Sequence, residues 1–343
     1  MNKNTSPGSL SPALGRLVCV GLAVALPALG IRAETQDQVQ ASESVTVVNP
    51  LRITAAAFSP DATEFALACA TRVYLYSQAN GEKLVELKGH TAEINGVAFS
   101  PDGTKVFSGS SDKSARLWDA NSGTEIQTFS GHTDRINGVA YSADGTRVAT
   151  CSRDQSVTVW DAGTGVPIRT FTGHGQPVNA VRFSPDGAVI ASGGEDGKLI
   201  IWDTGSGSVI STLSKHTKRI THVDFSPDGS QVLSSSEDGT AILWDVATGK
   251  DILVVKHPEI TTCVAFVHDK QWFVTGSATQ GAKVWDTATG TTVQTFSEPG
   301  KSDAITVLDT SNDGIRLLLG TDKGTATLYD LQVGTLLLTV QAR

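Results

Sequence analysis

The chain has one methionine, four cysteines and only 6% aromatic residues among its 343 positions. So little methionine, set against 34 glycines, argues for a turn-rich β protein rather than a helical one. Basic residues are scarce too: 27 Lys plus Arg face 35 Asp plus Glu, a net charge of −8. Residues 1–33 hold Lys3, Arg16 and Arg32 and no acid, which leaves 24 basic against 35 acidic side chains beyond them. Such a surface repels phosphate backbones and offers no basic stripe, so nucleic acid is not an expected partner.

Long hydrophobic runs are missing as well. The most apolar stretch, Leu17 to Leu29, contains Pro27 and falls short of the roughly 20 residues a membrane-spanning helix needs. Lys3 and Arg16 precede it, and the small residues Ala28, Gly30 and Ala33 lie at its end, the charged–apolar–small order of a secretory signal peptide. We therefore expect a signal segment over 1–33, cleaved after Gly30 or Ala33, then a linker over 34–42. The mature chain would be exported, periplasmic or secreted, with no integral membrane span; a retained anchor is the alternative. Cys19 lies near the start of the apolar run, not at its end, which argues against lipid attachment. Cys69, Cys151 and Cys263 then remain, odd in number and without a CxxC, and are expected to be buried free thiols despite a compartment that permits disulfides.

What the chain does have is repetition. Trp118, Trp160, Trp202, Trp244 and Trp285 recur at intervals of 42, 42, 42 and 41, and Tyr76 and Tyr329 extend the period to seven units. His90, His132, His174, His216 and His257 keep the same spacing. So does a turn reading Ser-Pro-Asp-Gly at Ser100, Ser184 and Ser226, with variants at Ser59, Ser142 and Ser311. Within a unit, four runs of five or six residues alternate like strands and are joined by hairpin turns. One four-stranded sheet cannot bury both its faces alone. Seven stacked radially around a channel can, and closing the ring protects the edges.

The Gly-His, hairpin Asp and Trp-Asp markers, in phase with one another, resemble the WD-repeat family of seven-bladed β-propellers over residues 43–341. The fold expected is all-β, with four-stranded antiparallel blades. In that family an N-terminal strand commonly completes the last blade. Here Ser44–Val48 and Thr335–Val340 both fit that outer slot.

Inside one unit, His132, Thr150, Asp154 and Trp160 look like most of a catalytic triad. The set recurs as His90, Ser108, Asp112 and Trp118, as His174, Ser192, Asp196 and Trp202, and as His216, Ser234, Asp238 and Trp244. Fourfold repetition argues for structure, not catalysis. The resemblance implies a chain in which Asp accepts from His, His meets the hydroxyl, and the hydroxyl meets the indole N–H. The sixth unit keeps His257, Thr275 and Trp285 but has Thr279 in place of Asp. The first has Asn49, Ala70 and Tyr76 in the corresponding slots, and the seventh has Asp322 out of register, Tyr329 and no histidine.

No catalytic, cofactor or metal site is expected. Lone Asp-Gly pairs are turn chemistry, no calcium-type Asp array is present, and His222 and His268 lie outside the repeat without ligand-spaced partners. Glycine pairs such as that in Thr204–Ser208 open no helix, so they are turns rather than phosphate cradles. The resemblance places partners on the face where each innermost strand begins. There the period aligns Thr54, Asn95, Asn137, Asn179, Thr221, Thr262 and Thr306, and two residues earlier Arg52, Glu93, Arg135 and Arg219. Before the turn Asp come Ser111, Arg153, Glu195 and Glu237, so a basic blade carrying Arg135 and Arg153 adjoins an acidic pair. The expected function is a non-enzymatic scaffold for a protein or peptide, because charge patterning of this kind sets specificity and on-rate. The alternatives are a propeller enzyme of lactonase or hydrolase type acting at the channel mouth, or a structural subunit of an envelope assembly. An enzyme needs a unique convergence of Asp, Glu or His on innermost strands, and the sequence pattern alone displays none.

Overall fold

A computed structural model describes residues 51–268, 270–296 and 303–342. These residues form seven four-stranded antiparallel sheets, each paired in simple sequence order. The blades cover residues 53–88, 94–130, 136–172, 178–213, 220–256, 261–296 and 305–341 and are numbered 1 to 7 below. The described residues include no helix long and apolar enough to cross a membrane.

Local chemistry sets the hairpins. In the turn Ser100–Lys105, the Ser100 hydroxyl donates to Asp102 (2.5 Å) and accepts from the Lys105 amide (2.9 Å), while Asp102 accepts from the Thr104 amide (3.0 Å). Gly103 completes it at φ +71°, a conformation that favours glycine. The Asp of each Trp-Asp pair does similar work two turns later, between the third and fourth strands, as when Asp119 accepts from the Ser122 amide at 2.8 Å.

Burial explains why strand alternation is weak in mid-blade. Second strands such as Arg147–Ser152 are covered on both faces by neighbouring blades, whereas outermost strands such as Pro167–Thr172 expose most of their side chains. Blades approach closely because small residues stand at the contact. A Cβ added to Gly193 of blade 4 would lie 2.4 Å from Cγ2 of Ile220 in blade 5. Cys69, Cys151 and Cys263 are buried free thiols in blades 1, 3 and 6.

The innermost strand of blade 7, Ile305–Thr310, packs against that of blade 1, Ile53–Phe58, closing the ring. One apolar cluster there joins Phe65, Leu67 and Tyr76 to Leu318, Leu328 and Val340. Hydrogen bonds reinforce it, from Thr306 Oγ1 to the Ile53 carbonyl (2.7 Å) and from the Phe58 amide to Asp309 Oδ2 (2.8 Å). The outer slot of blade 7 is filled by Leu336–Gln341, paired with Thr325–Asp330. Of the two segments expected to compete for that slot, Ser44–Val48 lies outside the described residues, as do the expected signal segment and linker.

Candidate functional site

The structure assembles each repeated His–hydroxyl–Asp–Trp set inside its own blade. In blade 3, His132 Nδ1 lies 2.8 Å from Asp154, His132 Nε2 lies 2.7 Å from Thr150 Oγ1, and the Trp160 indole donates to that hydroxyl at 2.8 Å. Blade 2 repeats this with His90, Asp112, Ser108 and Trp118, all three contacts at 2.8 Å. In blades 4 and 5 the His–hydroxyl contacts are again 2.8 Å, with His174 to Asp196 and His216 to Asp238 both at 3.1 Å. Trp202 and Trp244 donate to Ser192 and Ser234 at 2.8 and 2.9 Å. Each Asp also accepts from the amide after its histidine: Thr91, Thr133, Gly175 and Thr217. Burial pushes the Asp112 carboxyl up, but bonds from Ser114, His90 and Thr91 outweigh it and hold it at about 2. Burial pushes His90 and His216 below the usual imidazole range, so these rings are neutral at pH 7. A neutral ring receiving a hydroxyl proton on one side and donating to a carboxylate on the other is a tie within the blade.

Blade 6 keeps two-thirds of this chain. His257 Nε2 meets Thr275 at 2.6 Å and Trp285 donates to Thr275 at 2.8 Å, but His257 Nδ1 is buried without a partner. The residue after His257 is Pro258, which has no amide hydrogen, so the missing Asp and the missing donor go together. Blades 1 and 7 substitute apolar groups, with Leu67 and Leu319 in the hydroxyl position beside Tyr76 and Tyr329.

The Asn and Thr ring at the strand starts is also a tie, this time between blades. Asn95, Asn137 and Asn179 donate to the carbonyls of Ile136, Val178 and Ile220 in the next blade, at 2.7, 2.8 and 3.0 Å. Thr54, Thr221 and Thr306 do the same to Ile94, Thr261 and Ile53 at 2.6, 2.9 and 2.7 Å. Thr262 instead contacts Cys263 Sγ at 3.4 Å. Ser111 is committed as well, since the Asn95 amide donates to its hydroxyl at 2.9 Å.

The rim charges remain. A backbone bond from the Arg153 amide to the Arg135 carbonyl (2.9 Å) holds those two loops side by side, as Glu237 N to Arg219 O (3.1 Å) does in blade 5. The acidic patch expected from the sequence is not free, however. Arg219 lies 2.5 Å from Glu237 and 3.9 Å from Glu195, so one guanidinium links both acids. Arg135 and Arg153 are exposed and have no ion-pair partner among the described residues, and Arg52 and Glu93 are exposed on blades 1 and 2. Trp272 is partly buried against the cluster shared by blades 6 and 7, with Lys270 Nζ 5.8 Å from its ring. It covers its own blade.

One convergence escaped the sequence pattern. Two residues before the Ser of each turn, or before Val267 in blade 6, the innermost strands carry Ala57, Ala98, Ala140, Arg182, Asp224, Ala265 and Asp309 in blade order. The charged members meet in the channel with His222 and His268. Arg182 Nη2 lies 3.1 Å from His222 Nε2, and its Nε lies 3.8 Å from Asp224. Burial, aided by Arg182, pushes His222 down to about 3, so its Nε2 is an acceptor for the guanidinium. The clue was present: His222 and Asp224 sit two apart on one strand, on the same side, and only the ring brings blades 4 and 7 to them. The described residues contain no group of three or more His, Cys, Asp or Glu placed to hold a metal ion.

Seven four-stranded blades, four of them with the complete intrablade tie, define a WD-repeat β-propeller, and residues 81–119 match the family described as "WD domain, G-beta repeat". Residues 139–342 match the family described as "IFT122 first beta-propeller", and the chain belongs to that family. Among curated relatives, the human "Intraflagellar transport protein 122 homolog" is 42% identical over 62 residues, 18% of this chain and 5% of the relative. Mouse "WD repeat-containing protein 1" is 41% identical over 68 residues, 19% of this chain and 11% of the relative. The chicken protein of that name is 38% identical over 69 residues, again 19% and 11%. The matched segments thus span about a tenth or less of these relatives.

Proposed function

We propose that this propeller is a non-enzymatic scaffold that holds a protein or peptide partner on the face where the innermost strands begin. The observation that carries the reading is the pair Arg135 and Arg153. Two guanidinium groups are held on adjacent loops of one blade, exposed and without an ion pair among the described residues, in a chain whose charge is otherwise acidic; the neighbouring Asp134 carboxylate accepts from the Arg135 backbone amide at 2.7 Å instead. Nearby polar groups are committed to the fold, and Arg219 already holds both of its glutamates. The partner therefore presents carboxylates to blade 3, and its Asp or Glu gains bidentate contacts of a kind lysine does not offer. Such charge complementarity governs specificity and encounter rate.

The scaffold acts outside the cytoplasm, by virtue of the charged–apolar–small segment over 1–33. N-terminal sequencing of the mature chain tests that part, with a start at Ile31 or Glu34 expected and a start at Met1 contradicting it. The face is tested by crosslinked pulldown from the native compartment with wild type and with Arg135→Glu/Arg153→Glu. Loss of a partner from the variant is expected. Equal recovery of every partner by both proteins contradicts the assignment of the face.

A further inference from the structure

We propose that the opposite mouth of the central channel, on the Ser-Pro-Asp-Gly side, binds an alkylammonium cation between Asp224 and Asp309. This site is independent of the partner face proposed above.

Three observations carry it. The first is room. Alanine at the ring position in blades 1, 2 and 3 leaves a vestibule of about 460 Å3 opening to solvent, bounded by Phe99, Tyr141 and Phe225. A smaller chamber of about 110 Å3 lies against it, between the two aspartates, His222, His268 and Asn312. The second is charge. Among the described residues two carboxylates and a single guanidinium share the chamber, and Arg182 spends its hydrogen bonds on other groups: its Nη1 approaches the Val181 carbonyl at 3.2 Å and its Nη2 approaches His222 at 3.1 Å. Its nearest approach to a carboxylate is 3.8 Å, to Asp224, and Asp309 has no ion pair among the described residues. The third is orientation. Asp224 and Asp309 each accept one bond from the next blade, from the Phe266 and Phe58 amides at 2.8 Å, and these bonds fix both side chains at the chamber wall.

A cation placed there relieves the repulsion between the carboxylates. Burial already pushes Asp309 up to about 6, with Asp224 adding to the rise. A primary ammonium suits the chamber because three N–H donors can reach carboxylates on two blades at once, and its alkyl chain then lies along Phe99, Tyr141 and Phe225 on the apolar side of a vestibule whose other side is polar. A divalent metal ion is less well served, because the described residues supply no third ligand in place. The ammonium can come from a free amine or from the lysine of a partner loop, which share this chemistry.

Calorimetric titration tests the site with n-butylammonium, with n-butanol as the uncharged control, and with the blocked peptide acetyl-Gly-Lys-Gly-amide. Saturable binding of the ammonium but not of the alcohol is expected. Asp309→Asn keeps an oxygen for the Phe58 amide and should bind at least tenfold more weakly. Ala140→Leu fills the vestibule from a blade without charge and should also weaken binding at least tenfold. Tighter binding of the peptide assigns the site to a partner's lysine, and tighter binding of n-butylammonium assigns it to free amines. No saturable binding by either probe, or wild-type affinity in both variants, overturns the proposal.

Discussion

Replacing the same histidine in an intact blade and in the degenerate one isolates the value of the carboxylate contact. His132→Ala removes the bond to Asp154 (2.8 Å), the acceptor of the Thr150 hydroxyl (2.7 Å) and the edge contact with Trp160, whose ring centre is 6.2 Å away. The bond to a charged group is worth about 1.5–3 kcal/mol and the neutral one about 1, with a cavity term added. We expect a loss of about 3–5 kcal/mol. His257→Ala leaves a similar cavity and breaks the bond to Thr275, but it breaks no carboxylate bond and removes a buried nitrogen that had no partner. Its cost should be smaller by about 2 kcal/mol. Equilibrium unfolding in urea at pH 7.5 measures both, with the m-value checked for constancy. Burial, with Lys283 nearby, pushes His257 down to about 4, so the ring is neutral under these conditions. If His257→Ala costs as much as His132→Ala, the histidine–aspartate contact contributes nothing and the account of the blade is wrong.

Asp309→Asn gives a pH-dependent result. A folded-state value of about 6 exceeds the usual carboxyl value near 4, so this side chain favours the fold when protonated, and that contribution is lost as pH rises through 6. The variant should exceed wild type by about 1–2 kcal/mol at pH 7.5 and match it at pH 4.5, in urea titrations at the two pH values. A difference that grows on acidification contradicts the assignment. Gly193→Val drives a branched side chain into Ile220 and should destabilise the junction of blades 4 and 5 by about 1–3 kcal/mol, seen as a lower urea midpoint. An unchanged midpoint would show that the blades have slack there.

Much of the architecture is legible in the chain because each device recurs in phase. Trp118 through Trp285 mark the third strands, the Ser-Pro-Asp-Gly turns mark the first hairpins, and the fourfold histidine set is placed within hydrogen-bond distance in all four blades. Single-copy features were harder to see. Glu195 and Glu237 look like a free acidic patch until Arg219 is placed between them, which depends on how adjacent blades face each other. Likewise the Asn and Thr ring looks like a recognition surface, but its side chains reach carbonyls about 40 residues away, in the next blade. Arg182, Asp224 and Asp309 lie in different units and differ from the consensus alanine. Only ring closure turns those departures into a cluster.

The central claim, that a partner carrying carboxylates sits over blade 3, is tested most directly by photocrosslinking in the native host. A photoreactive residue replaces Ser111, beside blade 3 on the proposed face, or Asn312, at the opposite mouth of the channel. The account predicts a discrete adduct from position 111 that disappears when Arg135→Glu and Arg153→Glu are added, and no such adduct from position 312. The same adduct from both positions, or one at 111 that survives the charge reversal, would contradict it.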